Sequence, residues 1–301
     1  SKALLKCAGI ESYYTEIGSG ENQEIKFTDF ASANQTNHII LCVPADNDTV
    51  WLECTNQKAP CGFISSGSSN RYALLIKPNG GELVRTPSHG VFHNTRTSNI
   101  SLTINESGNA DFEILTQYNN DLYEEVFGLI NLSSKEQKDV LLKNLIASKG
   151  IEIARFVVED MSNDNPKAML YVNGKINNFA SKAGTMMLVS PEFFYPSQFP
   201  DFIHEQRSLD MLEPISYSYI DTLRIKIPDI YLIKKQLDQQ SYSSAIGHCS
   251  YQIDQSNCLI SIVRKIVFNK GKYGKEQFNE INEFLRNIAL YEKNNIILTL
   301  K

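Results

Sequence analysis

A histidine and a carboxylate near the start of the chain are the residues best placed to do chemistry together. His38 and Glu53 flank a segment that reads as two β-rich strands around a turn, with Ile39 to Val43, turn-forming Pro44 to Asp48, and Thr49 to Leu52. Such a hairpin brings its outer ends close together. A histidine oriented by a carboxylate supplies two members of a nucleophilic triad. The alternative is structural, because a histidine beside an acid at a strand end is common.

The pairing register decides whether these two side chains can meet. Successive side chains of a strand point to opposite faces, so a slip of one residue would separate them. His38 lies directly opposite Glu53 if the turn is centred between Ala45 and Asp46. A β-bulge could also restore the match.

Three short segments around this pair resemble the distal half of a transglutaminase-like domain, a papain-type fold with a Cys-His-Asp triad. They read ALLKCAGIESYYT over 3–15, NHII over 37–40 and WLECT over 51–55, and the resemblance covers residues 1 to 87. In that family a helix leaves through an Ala-Gly-Ile exit into a strand. The triad histidine opens the next strand, where His38 stands. The triad acid follows an aromatic-Leu pair, where Glu53 stands.

The chain departs from the family pattern in two ways. Glu53 replaces the usual Asp, and its side chain is one methylene longer but still able to accept from an imidazole N–H. The family's nucleophilic cysteine stands further upstream than this chain reaches, and Cys7 lies too near the helix end to match it. The resemblance therefore implies a fragment with a base and an orienting acid, inactive alone. The missing N-terminal portion of the same protein would be its partner.

In the intact protein, the resemblance implies acyl transfer or amide hydrolysis on a protein, peptide or cell-envelope substrate. It also implies a periplasmic or exported location. The alternative is a non-catalytic binding or scaffolding protein that holds a peptide or glycan. Its candidate contact surface would be the aromatic run 193–196 with Phe199 and Pro200, which could equally plug one end of a sandwich.

Composition narrows the classes of function. A net charge of −5 offers no basic stripe for nucleic acid, and no apolar run reaches the ~18 residues of a membrane span. The sequence contains no Gly-rich phosphate loop and no zinc-type cysteine spacing, and His89 and His93 stand in a polar segment without a helix. We therefore predict no metal and no cofactor.

Two further sets of side chains allow more than one interpretation. Trp51, the only tryptophan, could shape a substrate groove or anchor a core. The six cysteines could be free thiols, or Cys54 with Cys61 and Cys249 with Cys258 could bridge across turns.

The fold class predicted is α+β. Residues 1–87 are expected to form part of a transglutaminase-like domain, 88–98 a linker, and 99–301 a large antiparallel β-sheet or sandwich with packing helices. That second part loosely resembles a domain of unknown function that follows the transglutaminase-like core in some exported bacterial proteins. The helices predicted there are 123–130, 134–148 and 275–291, and an Asn173-Gly174 turn is predicted inside a hairpin over 169–179.

Overall fold

Strands dominate the fold. The structure, a computed structural model, describes residues 1–20, 23–29, 33–46, 48–55, 59–145, 150–162, 165–191, 209–235, 237–256 and 258–301. Strands make up 49% and helices 17% of the chain, in several sheets. This content fits the sandwich predicted for the C-terminal part. It does not single out the papain-type α+β arrangement predicted for residues 1–87.

The N-terminal part forms one antiparallel sheet of five strands in the order β3-β2-β1-β4-β5. Its elements are helix α1 (Lys2–Cys7) and strands β1 (Tyr13–Ile17), β2 (His38–Ala45), β3 (Asp48–Leu52), β4 (Tyr72–Lys77) and β5 (Gly80–Arg85). Alternation sends one side chain in two to a small core. That core contains Ile17, Ile40, Cys42, Trp51, Ala73 and Leu75, covered by Ile64 from the loop that follows β3.

The rest of the chain supplies three helices and fourteen strands within the described residues. The helices are α2 (Glu124–Ile130), α3 (Ser134–Leu145) and α4 (Phe278–Glu292). The strands are β6 (Thr95–Ile104), β7 (Ala110–Asn119), β8 (Ile151–Asp160), β9 (Lys167–Ile176), β10 (Ala180–Ala183), β11 (Met186–Val189), β12 (Met211–Glu213), β13 (Tyr217–Lys226), β14 (Tyr231–Lys235), β15 (Gln240–Ser244), β16 (Gly247–Gln255), β17 (Leu259–Phe268), β18 (Gly271–Tyr273) and β19 (Ile296–Leu300).

Eight of these strands form one large sheet in the order β15-β16-β17-β13-β6-β7-β9-β8. A second sheet has the order β10-β11-β19-β14, and β12 pairs with β18. The large sheet is antiparallel except at its centre, where β6 and β13 run parallel. It is therefore two antiparallel halves, joined along one parallel pair of strands that are distant in sequence.

A single core lies between the large sheet, the four-stranded sheet and the helices. Helix α4 contributes Ile281, Leu285 and Ile288, and the four-stranded sheet contributes Met187 and Leu298. The apolar stripe predicted for the closing helix is this buried face. Beside the core, Arg264 on β17 is fully buried and pairs with Asp221 on β13 and Glu292 on α4.

The predicted turn at Asn173-Gly174 is wrong, because both residues lie inside the continuous strand β9. A β-bulge in β8 brings the carbonyl oxygen of Glu152 so close that a Cβ at position 174 would lie 1.9 Å from it. Glycine is needed here because two backbones approach each other closely. An Asn-Gly pair is compatible with such an approach as well as with a turn, so the sequence does not distinguish the two.

Turns and changes of sheet set the strand boundaries in the C-terminal part. Residues 240–255 form two strands, β15 and β16, around a turn at Ala245 and Ile246. Pro228 lies where the chain passes from β13 in the large sheet to β14 in the four-stranded sheet. Strand β6 begins at Thr95, within the segment 88–98 that the sequence predicts as a linker.

Candidate functional site

His38 and Glu53 are in direct contact. The Nε2 atom of His38 lies 2.7 Å from the Oε2 atom of Glu53. Their side chains are 23% and 11% exposed, so the pair is half-buried but reachable from solvent. Since an ionised carboxylate can only accept, Nε2 carries the proton of this hydrogen bond, and in the tautomer that this contact favours the lone pair is at Nδ1.

The register that produces this contact differs from the expected one. Strands β2 and β3 pair Ala45 with Asp48 and Leu41 with Leu52. Extended beyond Leu52, this register places Thr55, rather than Glu53, opposite His38. The shift is two residues, so Glu53 stays on the same face and reaches His38 diagonally.

A diagonal contact explains why the acid is a glutamate. Diagonal neighbours across an antiparallel pair are about 7–8 Å apart, a distance that only long side chains bridge. Glu53 has the extra methylene that an aspartate lacks. The geometry of this hairpin therefore suits a glutamate at the position where the resembled family has an aspartate.

Thr55 holds the other oxygen of the same carboxylate. Its backbone N–H and its hydroxyl donate to Oε1 of Glu53 at 3.0 and 2.7 Å. Burial raises the pKa of Glu53, but the hydrogen bonds from Thr55 and His38 lower it by more, so this pKa lies below the ordinary value. The carboxylate is thus charged and fixed at neutral pH. Sequence reasoning assigned Thr55 no role, although it ends the WLECT segment over 51–55 on which the resemblance rests.

The opposite ring nitrogen of the imidazole is open. Among the residues that the structure describes, Nδ1 of His38 has no hydrogen-bond partner, and no cysteine is hydrogen-bonded to the ring. All six are free thiols, so neither proposed bridge is formed. Cys42, Cys54 and Cys61 lie nearest to the pair in sequence; Cys42 is buried, and burial raises its pKa and disfavours its thiolate.

Trp51 lies on the same face of the sheet as Glu53, two residues before it. It is 6% exposed and sits opposite Cys42 in the small core. It also lines a cavity of about 430 Å³ together with Tyr13, Leu75 and Val84, and neither His38 nor Glu53 is among the residues that line this cavity. Trp51 is therefore mainly a core side chain that also borders an opening on this face.

Three other expectations from the sequence concern an aromatic contact surface, metal binding and a membrane span. The aromatic run over 193–196 and 199–200 lies outside the described residues. No group of three or more potential metal ligands occurs in the part of the chain that the structure describes. Among the same residues, no helix has the length and apolar character needed to cross a membrane.

Comparison with protein families identifies one segment. The model of a "Domain of Unknown Function with solved-structure structure (DUF3858)" matches residues 185–298. This segment runs from β11 through α4 into β19 and includes the four strands β13, β15, β16 and β17 of the large sheet. The expectation of a domain of unknown function in the C-terminal part is confirmed for these residues. This match does not bear on residues 1–87, whose transglutaminase-like resemblance stays a prediction.

One solved structure shares the fold over most of the chain. It is described as a "putative protease" from Parabacteroides distasonis ATCC 8503, and it superposes with a TM-score of 0.51 at 12% sequence identity. The match covers 99% of this chain but only 42% of the other protein. No curated protein matches this sequence. At this identity the likeness concerns the fold alone.

Proposed function

We propose that His38 and Glu53 are the base and the orienting acid of a Cys-His-acid site for acyl transfer or amide hydrolysis. The hydrogen bond of 2.7 Å between them carries this proposal. The name of the Parabacteroides structure, which shares only the fold, agrees with amide chemistry. The nucleophilic cysteine would come from outside this chain, which is expected to be inactive by itself.

The proposed reaction begins at the open nitrogen of His38. Nδ1 takes the proton from the cysteine thiol, and Glu53 stabilises the imidazolium through its contact with Nε2. The thiolate attacks the acyl carbon, a C–S bond forms, and the C–N bond breaks as His38 returns its proton to the leaving amine. Water or a second amine then attacks the thioester and releases the thiol.

The test uses the longest natural polypeptide that contains these 301 residues. Release of ammonia or amine from glutamine-containing peptides is measured for the wild type and for His38→Ala. General-base catalysis contributes about 10²–10⁴-fold, so His38→Ala should lower kcat by at least the smaller factor. The control is His248→Ala, because His248 is exposed and its ring is hydrogen-bonded to Ser243, far along the chain from the candidate pair. Equal activity of wild type and His38→Ala, or a wild type without amide chemistry, would overturn the proposal.

Trp51 is proposed to border the substrate groove. Its fluorescence can be read without interference, since it is the only tryptophan. Glutamine peptides that enter the cavity beside it should change the emission maximum or intensity. Peptides that the longer polypeptide turns over but that leave the emission of this 301-residue chain unchanged would exclude this role.

A further inference from the structure

The residue before His38 ties the start of β2 to a neighbouring loop. Asn37 accepts from the backbone N–H of Ser19 at 2.7 Å through its side-chain oxygen. Its side-chain NH₂ donates to the carbonyl oxygen of Ser19 at 2.9 Å. The loop after β1 and the start of β2 are therefore joined by a two-point contact directly beside the candidate base.

That loop is held by a second segment, the serine-rich turn of residues 65–69, which precedes β4. The N–H of Gly20 donates to the carbonyl oxygen of Gly67 at 3.1 Å, and the hydroxyls of Ser68 and Ser19 are 3.0 Å apart. The turn is compact, because the backbone N–H of Ser68 bonds to the carbonyl oxygen of Ser65 at 2.8 Å. A shift of this turn would therefore move the loop that carries Ser19.

The serine-rich turn is anchored to the start of helix α2, beyond the five-stranded sheet. Both oxygens of Glu124 accept from Ser66, one from its backbone N–H at 3.0 Å and one from its hydroxyl at 2.6 Å. The buried Asp121 accepts from the hydroxyl of Ser69 at 3.4 Å and is itself held by Asn94 at 3.0 Å. Helix α2 packs into the large core, so its first turn is a firm support.

We infer that Glu124 and Asn37 are positioning residues for His38, so that the large core sets the orientation of the candidate base through the serine-rich turn. This inference rests on the proposed function for the role of His38. The contacts themselves stand independently of any activity. A base displaced by about 1 Å can cost on the order of 10²-fold in rate, so such a support matters to a triad.

The chain offers a control with the same donors for the Glu124 contact. The exposed Glu136 accepts from the backbone N–H and the hydroxyl of Ser133 at 3.0 and 2.6 Å, through one carboxylate oxygen, at the start of helix α3. Removing either glutamate deletes two hydrogen bonds from one serine, yet only Glu124 leads to His38. A conservative change, Glu124→Gln, keeps an acceptor for the N–H of Ser66 and a donor for its hydroxyl oxygen.

The experiment measures the imidazole directly by NMR on this 301-residue chain. The protonated Nε2 of His38, bonded to Glu53, should give a slowly exchanging downfield signal. That signal should broaden or vanish in Glu124→Ala and in Asn37→Ala, and should persist in Glu124→Gln and Glu136→Ala. If the two contacts act through one support, the double variant of Glu124→Ala with Asn37→Ala should lose no more of this signal than the more severe single variant. An unchanged signal in Glu124→Ala would overturn the inference.

Kinetics in the longer natural polypeptide give the second readout. Glu124→Ala should lower kcat about tenfold while KM stays within a factor of two, because substrate contacts are untouched. Should Glu124→Ala fail to fold, Ser66→Ala, which deletes only the hydroxyl contact, replaces it in both measurements. A wild type without activity would refute the proposed function and leave the NMR result to decide the positioning role. A loss of kcat in Glu124→Ala that equals the loss in Glu136→Ala would refute the positioning role of Glu124.

Discussion

Substitution of Glu53 by glutamine separates charge from shape at the candidate site. The amide has one acceptor oxygen, whereas the carboxylate uses two, one for His38 and one for Thr55. Thr55 offers the backbone N–H and the hydroxyl to Oε1, so the amide oxygen should remain there and the NH₂ should face His38. The imidazole must then accept at Nε2 and carry its proton on Nδ1, which is the wrong tautomer for a general base.

The expected magnitude follows from the contacts. A hydrogen bond to a charged group contributes about 1.5–3 kcal/mol, and the partial exposure of this pair reduces its share. We expect Glu53→Gln to lower the free energy of unfolding by about 1–2 kcal/mol at pH 7. Glu53→Asp should lose the diagonal contact as well, because its side chain is too short to reach His38.

The lowered pKa of Glu53 determines how its contribution to the free energy of unfolding changes with pH. The pKa of Glu53 lies below the ordinary value in the folded chain, so its contribution to stability is present above the unfolded value of about 4.3. It is lost as the pH falls through the folded pKa. The difference between wild type and Glu53→Gln should therefore shrink on acidification below about pH 4.

Two measurements test this reasoning. Urea unfolding at pH 7 and at acid pH gives the difference in free energy, and nitrogen NMR of the imidazole gives the tautomer. A stability difference that does not change with pH would refute the role of the charge. An imidazole that keeps its proton on Nε2 in Glu53→Gln would refute the role of the carboxylate in setting the tautomer.

Four further substitutions test the scaffold by urea unfolding. Gly174→Ala should lower the free energy of unfolding by about 1–3 kcal/mol or more, because the carbonyl oxygen of Glu152 would lie 1.9 Å from the new methyl group. Gly128→Ala in helix α2 meets nothing within 4 Å and should raise the free energy of unfolding by about 0.5–1 kcal/mol. Equal effects of the two substitutions would contradict this reasoning. Burial raises the pKa of Glu213 to about 7, so wild-type stability should fall by on the order of 3 kcal/mol as the pH rises from about 4.3 to 7, and Glu213→Gln should flatten that slope. Arg264→Ala removes the cation that pairs with the two buried carboxylates Asp221 and Glu292, and it should lower the free energy of unfolding by about 3–5 kcal/mol. A loss below 1 kcal/mol would show that the ion pairs contribute little.

Features governed by a few consecutive residues could be predicted from the sequence. Ser133 and Glu136, three residues apart at the start of the helix predicted over 134–148, form a reciprocal capping box. The apolar spacing of Ile281, Leu285 and Ile288 matches the buried face of the closing helix. Such signals are local, because the interacting groups lie within one turn of a helix.

Features that depend on partners far along the chain could not be predicted. An Asn-Gly pair is a turn signal by local chemistry, yet at Asn173 the strand continues because the bulge of β8 requires a glycine beside it. The parallel pairing of β6 and β13 and the contact of Ser66 with Glu124 join segments that no short window of sequence relates. Long-range pairing is chosen by the packing of the whole core.

The candidate pair shows both kinds of information at once. The sequence by itself determined that His38 and Glu53 flank a hairpin and that a histidine and a carboxylate there could act together. Only the tertiary structure decided the register, which makes their contact diagonal and suits the length of a glutamate. The physical reason is that side-chain direction alternates along a strand, whereas the register between strands is fixed by the turn and by the core that both strands cover.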